Sequence, residues 1–341
     1  MKVFFDERQR AHDPQHFVLH GATTTNLDAP GRIDALLTGA ERDGHEIVAP
    51  YMTDAETDAT LARVHTPEYL AFLRTSHRRW RELPGAAAEV IANVHPNIGQ
   101  PAGYPASVVG QAGYHMADTA CPVGANTWEA ARAAAATALA AAHATLATGE
   151  ATYALARPPG HHATACQAGG SCFLNNSAVA AAACLQAGRR PAVVDVDLHH
   201  GNGTQAIFYD RDDVLTVSIH ADPTGFYPFF HGHAHERGRG RGEGCNLNLP
   251  LPLRSGDEAF LGALDAAAER VALFGADILV VALGLDAHEA DPYAGLAVTT
   301  EGFGRVGSAL ADFGLPAVLV QEGGYLSPAL SDNLSAALSP F

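Results

Sequence analysis

Short unbroken apolar runs alternate along this chain with longer stretches in which apolar residues recur at helical spacing. Strands buried on both faces read as continuous apolar runs, so the alternation predicts a parallel sheet covered by helices on both sides. "ATYALA" (151–156), "PAVVDV" (191–196), "VLTVSI" (214–219), "DILVVAL" (277–283) and "PAVLVQ" (316–321) read as such strands. "CNLNLPL" (245–251) reads as an edge strand or a loop, because prolines bound it. Between them, 176–188, 257–275 and 299–314 carry helical spacing, and the alanine-rich stretch 127–149 has the strongest helix propensity. The first 125 residues are less regular, and 77–105 reads as a long excursion of the kind used for function or contact. With no repeat and no linker to divide it, the chain reads as one α/β domain over 1–341.

The polar residues interrupt this pattern at one place in each unit, the end of a strand. "ALA" runs into "RPPGHHA", "PAVVDV" into "DLHHGNG", "VVALG" into "LDAHEADP" and "AVLVQ" into "EGGYL". These junctions supply His161 and His162, then Asp195, Asp197 and His199, then Asp286, and finally Tyr325. In a parallel sheet all of them fall at the carboxyl edge, where open α/β sheets bind ligands. Asp195, Asp197 and His199 also sit at every second position, which on an extended chain aims them to one side. Carboxylates and an imidazole facing one point repel and desolvate one another unless a cation lies between them. Asp197, His199 and Asp286 make three oxygen and nitrogen ligands with a position left open, the pattern of a catalytic divalent metal such as zinc, with iron(II) or cobalt able to use the same set. A metal-free hydrogen-bonded network is the plainer reading of "DVDLHH" alone. His220 reads as a structural residue, and His231, His233 and His235 as an exposed loop.

Composition removes several classes. Hydrophobic residues make up 47% and charged residues 17%, which is a globular balance. Lys and Arg number 21 against 37 acids, a formal charge of -16, which argues against a nucleic-acid partner and is compatible with a cationic substrate. The start has no signal-like apolar run and no stretch is long enough for a membrane span, so a cytoplasmic protein is expected. Five cysteines without a CxxC pair read as reduced thiols.

"RPPGHHA", "GGSCFLNN", "DVDLHHGNGTQAIFY", "LDAHEADP" and "QEGGY", in this order between residues 157 and 325, resemble the zinc-dependent deacetylases of the arginase/deacetylase fold. "RRW" and "CPVGANTWEAA" in the N-terminal half are most similar to the bacterial acetylpolyamine amidohydrolases. The resemblance implies a sandwiched parallel sheet and hydrolysis of N-acetyl amides of small polyamines, with acetyl-lysine in peptides or proteins as the alternative substrate. A silent binding module and a two-manganese ureohydrolase are the other readings. It also implies that the 77–105 excursion builds a homodimer and narrows the entrance.

By the same resemblance, Asp197, His199 and Asp286 would hold zinc. His162 would be the general base, oriented by Asn202, and His161 would stay protonated or act as its electrostatic partner, backed by Asp195. Tyr325 would donate to the scissile carbonyl. Asp118, Gly170, Ser171, Tyr227 and Tyr293 would line the substrate channel, with Asp118 at the mouth holding the substrate's amide backbone or amine. A structural K+ or Na+ would lie behind the metal, among Asp195, Asp197, His199, Ser218, Phe208 and Val214. Two positions depart from the family pattern: Ser171 stands where many members have an aromatic wall, and Tyr293 where polyamine-selective relatives can carry an acid.

Overall fold

The structure, a computed structural model, describes residues 1–19, 21–97 and 99–341. The strands are β1 (Lys2–Phe4), β2 (His16–Leu19), β3 (Ala22–Thr25), β4 (Glu46–Val48), β5 (Thr152–Ala154), β6 (Pro191–Asp195), β7 (Leu215–Ala221), β8 (Asn246–Leu251), β9 (Ile278–Leu283) and β10 (Ala317–Gln321). The helices are α1 (Gly31–Arg42), α2 (Asp54–Val64), α3 (Pro67–Arg81), α4 (Val108–His115), α5 (Thr127–Thr148), α6 (Asn176–Gln186), α7 (Asn202–Phe208), α8 (Asp257–Phe274), α9 (Thr300–Ala311) and α10 (Leu330–Leu338). Eight strands form one sheet in the order β4-β1-β5-β10-β9-β6-β7-β8, parallel throughout, while β2 and β3 make a separate antiparallel hairpin.

The predicted layering follows from strand alternation. On β9, Ile278 and Val280 join the core under α5 and α6, while Leu279, Val281 and Leu283 join the core under α1, α8, α9 and α10. Each strand therefore needs apolar residues at every position, which is why these segments read as unbroken runs. Helix α5 is buried without a break from Ala130 to Ala142, and its alanines let it lie close to the sheet. It ends at Gly149, whose φ of 76° supplies the left-handed cap. Asn126 precedes it without a side-chain capping bond; the Thr127 hydroxyl instead accepts from the Gly124 N–H at 2.8 Å.

Two expectations need correction. The first 125 residues carry α1 to α4 and two strands of the main sheet, β1 and β4, whose three residues each lie in no longer apolar run of the kind that marked β5. The excursion begins later than 77, because Thr66 caps α3, Pro67 occupies its first turn, and the helix runs through Arg81. The irregular part is 82–107, and Ile98 within it lies outside the described residues. A bridge from Val90 to Val123 and a 2.9 Å bond between the Tyr104 hydroxyl and His115 Nε2 tie this segment to the body. Among the described residues no helix is long and apolar enough to cross a membrane.

Candidate active site

Four adjacent central strands, β5, β10, β9 and β6, deliver the polar junctions to one edge. Asp195 closes β6, and the chain then leaves the sheet. The every-second-residue alignment therefore arises differently from the extended strand predicted. Asp195 Oδ1 accepts the Asp197 N–H at 3.1 Å, and Asp197 Oδ1 accepts the His199 N–H at 2.8 Å. Two successive side-chain turns curl the segment so that its polar residues still converge.

Asp197, His199 and Asp286 meet with their ligand atoms all within 4.8 Å of one another. His199 Nδ1 lies 3.2 Å from Asp197 Oδ1 and 3.0 Å from Asp286 Oδ2. The carboxylates are held by backbone donors, Gly323 N–H on Asp197 at 2.7 Å and Leu198 N–H on Asp286 at 3.0 Å. Gly323 is required here, since a Cβ on it would stand 2.3 Å from Asp286 Oδ2 and 2.5 Å from Asp197 Oδ2. Among the described residues neither carboxylate has a Lys or Arg partner; their ion pairs are with histidines. Burial and the neighbouring Asp197 charge hold the Asp286 carboxyl above the usual range. Burial opposes protonation of His199, but hydrogen bonds to the two carboxylates outweigh it and push the imidazole up to about 9. Two carboxylates and one imidazole with no fixed cation fit a divalent ion.

The two adjacent histidines have opposite surroundings. His161 Nδ1 lies 2.9 Å from Asp195 Oδ2, and although burial opposes it, Asp197 and Asp195 hold this imidazole well above the usual pKa. His162 Nδ1 faces the neutral Asn202 Oδ1 at 2.7 Å; burial, with His161 and His199 beside it, holds His162 well below the usual value. Gly170, at φ 51°, gives the His162 ring its space, because a Cβ there would stand 2.3 Å from it. Tyr325 is 5% exposed, and its N–H donates to Asp291 Oδ2 at 3.0 Å.

These groups floor a cleft of about 590 Å³ walled by Phe17, Leu19, Phe226, Tyr227, Phe229 and Tyr293. Tyr293 stands edge-on to both His199 and Tyr325, with centroids at 5.0 and 4.8 Å. Ser171 takes φ 65° and donates to the Ala120 carbonyl at 3.2 Å, so it adds no wall. Asp118 sits against the cleft wall, where its carboxylate accepts from the Tyr227 hydroxyl and from the Gly170 and Ala120 N–H groups. Ser218 neighbours Asp195 across the β6–β7 register, with its hydroxyl 2.8 Å from His220 Nδ1. Phe208 and Val214 are buried at the two ends of the turn between α7 and β7. His220 is structural as predicted, its Nε2 lying 2.8 Å from the Gly232 carbonyl.

Sequence reasoning missed four residues around Tyr325. Glu322 accepts the Gly160 and His161 N–H groups at 2.6 and 2.9 Å and the Ser177 hydroxyl at 2.8 Å, and burial pushes its carboxyl up to about 7. Its position within "QEGGY", directly after an apolar strand, was the available signal. Asp291 accepts both the Tyr293 and Tyr325 N–H groups and lay inside the "EADP" motif. Arg32 donates to the Gly324 and Glu322 carbonyls, both at 2.6 Å, and lies 4.8 Å over the Tyr325 ring. Arg32 and its partner Asp28 come from a region with no periodic signal.

Comparison with known proteins agrees with this geometry. The histone deacetylase domain model matches residues 27–340. The chain is 43% identical to an acetylpolyamine amidohydrolase of Burkholderia pseudomallei, over 100% of this chain and 98% of the relative. It is 39% identical to acetylpolyamine amidohydrolase 1 of Pseudomonas aeruginosa, over 98% of this chain and 96% of the relative. A crystal structure of an acetylpolyamine aminohydrolase from Burkholderia pseudomallei superposes with a TM-score of 0.93 at 43% identity, covering 100% of this chain and 98% of that one. The HDA15 HD domain superposes with a TM-score of 0.80 at 28% identity, covering 99% of this chain and 88% of that one. The chain belongs to the histone deacetylase domain family of amidohydrolases, a metal-dependent hydrolase family.

Proposed function

We propose that this chain hydrolyses N-acetyl amides of small polyamines to the free amine and acetate, with a zinc ion held by Asp197, His199 and Asp286. The observation that carries this reading is the convergence of that trio beside a neutral imidazole and a buried tyrosine at the floor of a narrow aromatic cleft. A divalent ion bound there supplies the electrophile for the scissile carbonyl and acidifies the attacking water.

The rest is the work of side chains. His162 is deprotonated and its Nδ1 is engaged by Asn202, so Nε2 accepts the water's proton as attack occurs. His161, kept cationic by Asp195 and Asp197, sits with its ring centroid 4.0 Å from that of His162 and stops His162 from protonating too early. Tyr325, held by Asp291 and Arg32, donates to the oxygen that becomes negative, a contribution on the order of 10²–10³ in rate. His162 then returns its proton to the departing amine. A monovalent K+ or Na+ behind Asp195 and Ser218, and a homodimer through residues 82–107, belong to the same reading.

Acetate release from acetylputrescine, acetylspermidine and an acetyl-lysine peptide, with and without a chelator, tests it. The small amines are expected to be cleaved in a metal-dependent way, well ahead of the peptide. Chelator-resistant release, or a clear preference for the peptide, overturns the reading. Sedimentation of the intact chain tests the dimer.

A further inference from the structure

His199 faces Asp197 and Asp286 through Nδ1, the atom it would offer a metal. A histidine in that position is usually fixed by a hydrogen bond from its other ring nitrogen to a carboxylate, a carbonyl or water. Among the described residues Nε2 has no such partner, so ring contacts set the plane of this imidazole. Phe226 stacks on it at 24° with centroids 5.4 Å apart, and Tyr293 meets it at 88° and 5.0 Å.

Tyr293 meets Tyr325 as well, at 74° and 4.8 Å. One carboxylate fixes the spacing of the two tyrosines: Asp291, 4% exposed, accepts the Tyr293 N–H on Oδ1 at 2.9 Å and the Tyr325 N–H on Oδ2 at 3.0 Å. The chain then turns tightly. The Ala294 N–H donates to the Asp291 carbonyl at 3.0 Å, and Ala294 takes φ 50°, a conformation uncommon outside glycine. Gly295 follows, packed against the surroundings of His199; a Cβ on it would stand 2.6 Å from Leu198 Cδ1 and 2.8 Å from Phe226 Cζ. Segment 291–295 is thus pinned to the metal-ligand side of the site and to the Tyr325 side. The Tyr293 hydroxyl has no hydrogen-bond partner among the described residues, so its contacts with both sides are made by the ring.

We infer that Tyr293 is a positioning residue for the hydrolysis: its ring sets the His199 imidazole and the Tyr325 phenol in register with each other. The inference rests on the hydrolytic reading above. A donor displaced by an ångström loses most of its effect on rate, and an imidazole without a fixed plane binds metal less well. Tyr293 acts through these two groups and needs no contact with the reacting atoms.

The test compares Tyr293→Leu, which removes the flat ring, with Tyr293→Phe, which keeps it; Tyr293→Met replaces the leucine variant if that chain does not fold. Zinc affinity is read by competition with a chromophoric chelator, and acetate release from acetylputrescine at saturating zinc gives kcat and KM. Tyr293→Leu is expected to bind zinc about tenfold more weakly and to lose about 10–100-fold in kcat, with KM within about threefold of the parent. Tyr293→Phe should match the parent on both counts. In a Tyr325→Phe background the leucine substitution should cost kcat about threefold at most, because the donor it positions is already gone. A leucine variant that keeps the parent's zinc affinity or its kcat overturns the inference. So does a phenylalanine variant as impaired as the leucine one, or an undiminished loss in the Tyr325→Phe background. A parent that releases no acetate sinks the hydrolytic reading, and the zinc titration still decides whether Tyr293 holds His199.

Discussion

Two buried charge clusters lie on either side of the turn that carries Tyr325, and they are balanced in opposite ways. On one side Asp197 and Asp286 share the His199 imidazole, Asp197 also faces His161 at 3.7 Å, and among the described residues no Lys or Arg balances them. On the other, Arg32 and Arg157 share Asp28: Oδ1 accepts from Arg32 Nη1 at 2.6 Å and from Arg157 Nε at 3.0 Å. The second cluster satisfies its surplus cation from within, because carbonyls of Gln9, Asp28, Glu322 and Gly324 accept the remaining guanidinium protons. The first has only imidazoles, and no guanidinium or ammonium among the described residues, to balance its carboxylates. A cluster closed by the protein is scaffold, and a cluster that needs an external cation is a site.

The largest effect that would sharpen this contrast is on the closed cluster. Asp28→Ala leaves two guanidiniums, each 1% exposed, without their carboxylate. Breaking a buried pair in this way costs about 3–5 kcal/mol, to be read from urea unfolding. An Asp28→Ala chain as stable as the parent would mean that the carbonyls alone hold the arginines. Next comes Tyr325→Phe, at the border between the clusters. It should lower kcat by about 10²–10³ while leaving metal content unchanged. Unaltered kcat would remove the hydroxyl from the chemistry.

The open cluster predicts a smaller, conditional effect. Zinc at about a hundred times its dissociation constant should add roughly 2.7 kcal/mol to unfolding stability. Asp286→Asn should abolish that increment while changing the metal-free protein little, because it removes one of two mutually repelling carboxylates. A zinc-dependent gain that survives the substitution would place the ion elsewhere.

The same contrast explains what was legible in the chain. The open cluster could be read because each of its members follows a buried apolar strand, where an uncompensated polar residue has no structural excuse. The sheet was legible wherever strands reached five or more residues, as in β6, β9 and β10. The closed cluster could not be read. Asp28, Arg32 and Arg157 are brought together by the packing of α1 against the strand ends, and nothing in local spacing joins residue 28 to residue 157. The bonding of Asp118 was hidden for a related reason: its hydrogen bond with Tyr227 spans 109 positions, a pairing that only the fold creates.

The smallest predicted effect concerns Glu322, which touches both clusters: it accepts from the backbone of His161, and its own carbonyl accepts from Arg32. Burial raises its carboxyl from the ordinary glutamate value of 4.5 to about 7, so between those values the folded chain holds a proton that the unfolded chain has released. Folded-state proton binding in excess means stability falls as pH rises through that window, by an amount on the order of 1–2 kcal/mol between about pH 5 and pH 7. Glu322→Gln keeps a carbonyl oxygen for the Gly160 and His161 N–H groups and presents an amide to the Ser177 hydroxyl, which can accept as well as donate. The variant should therefore match the parent near pH 5 and gain on it progressively towards pH 7, as read from urea midpoints of the metal-free proteins. Parallel curves for the two proteins across that range would show that Glu322 is ionised throughout, held so by the His161 cation, and that the two clusters are coupled through this residue more tightly than its burial alone implies.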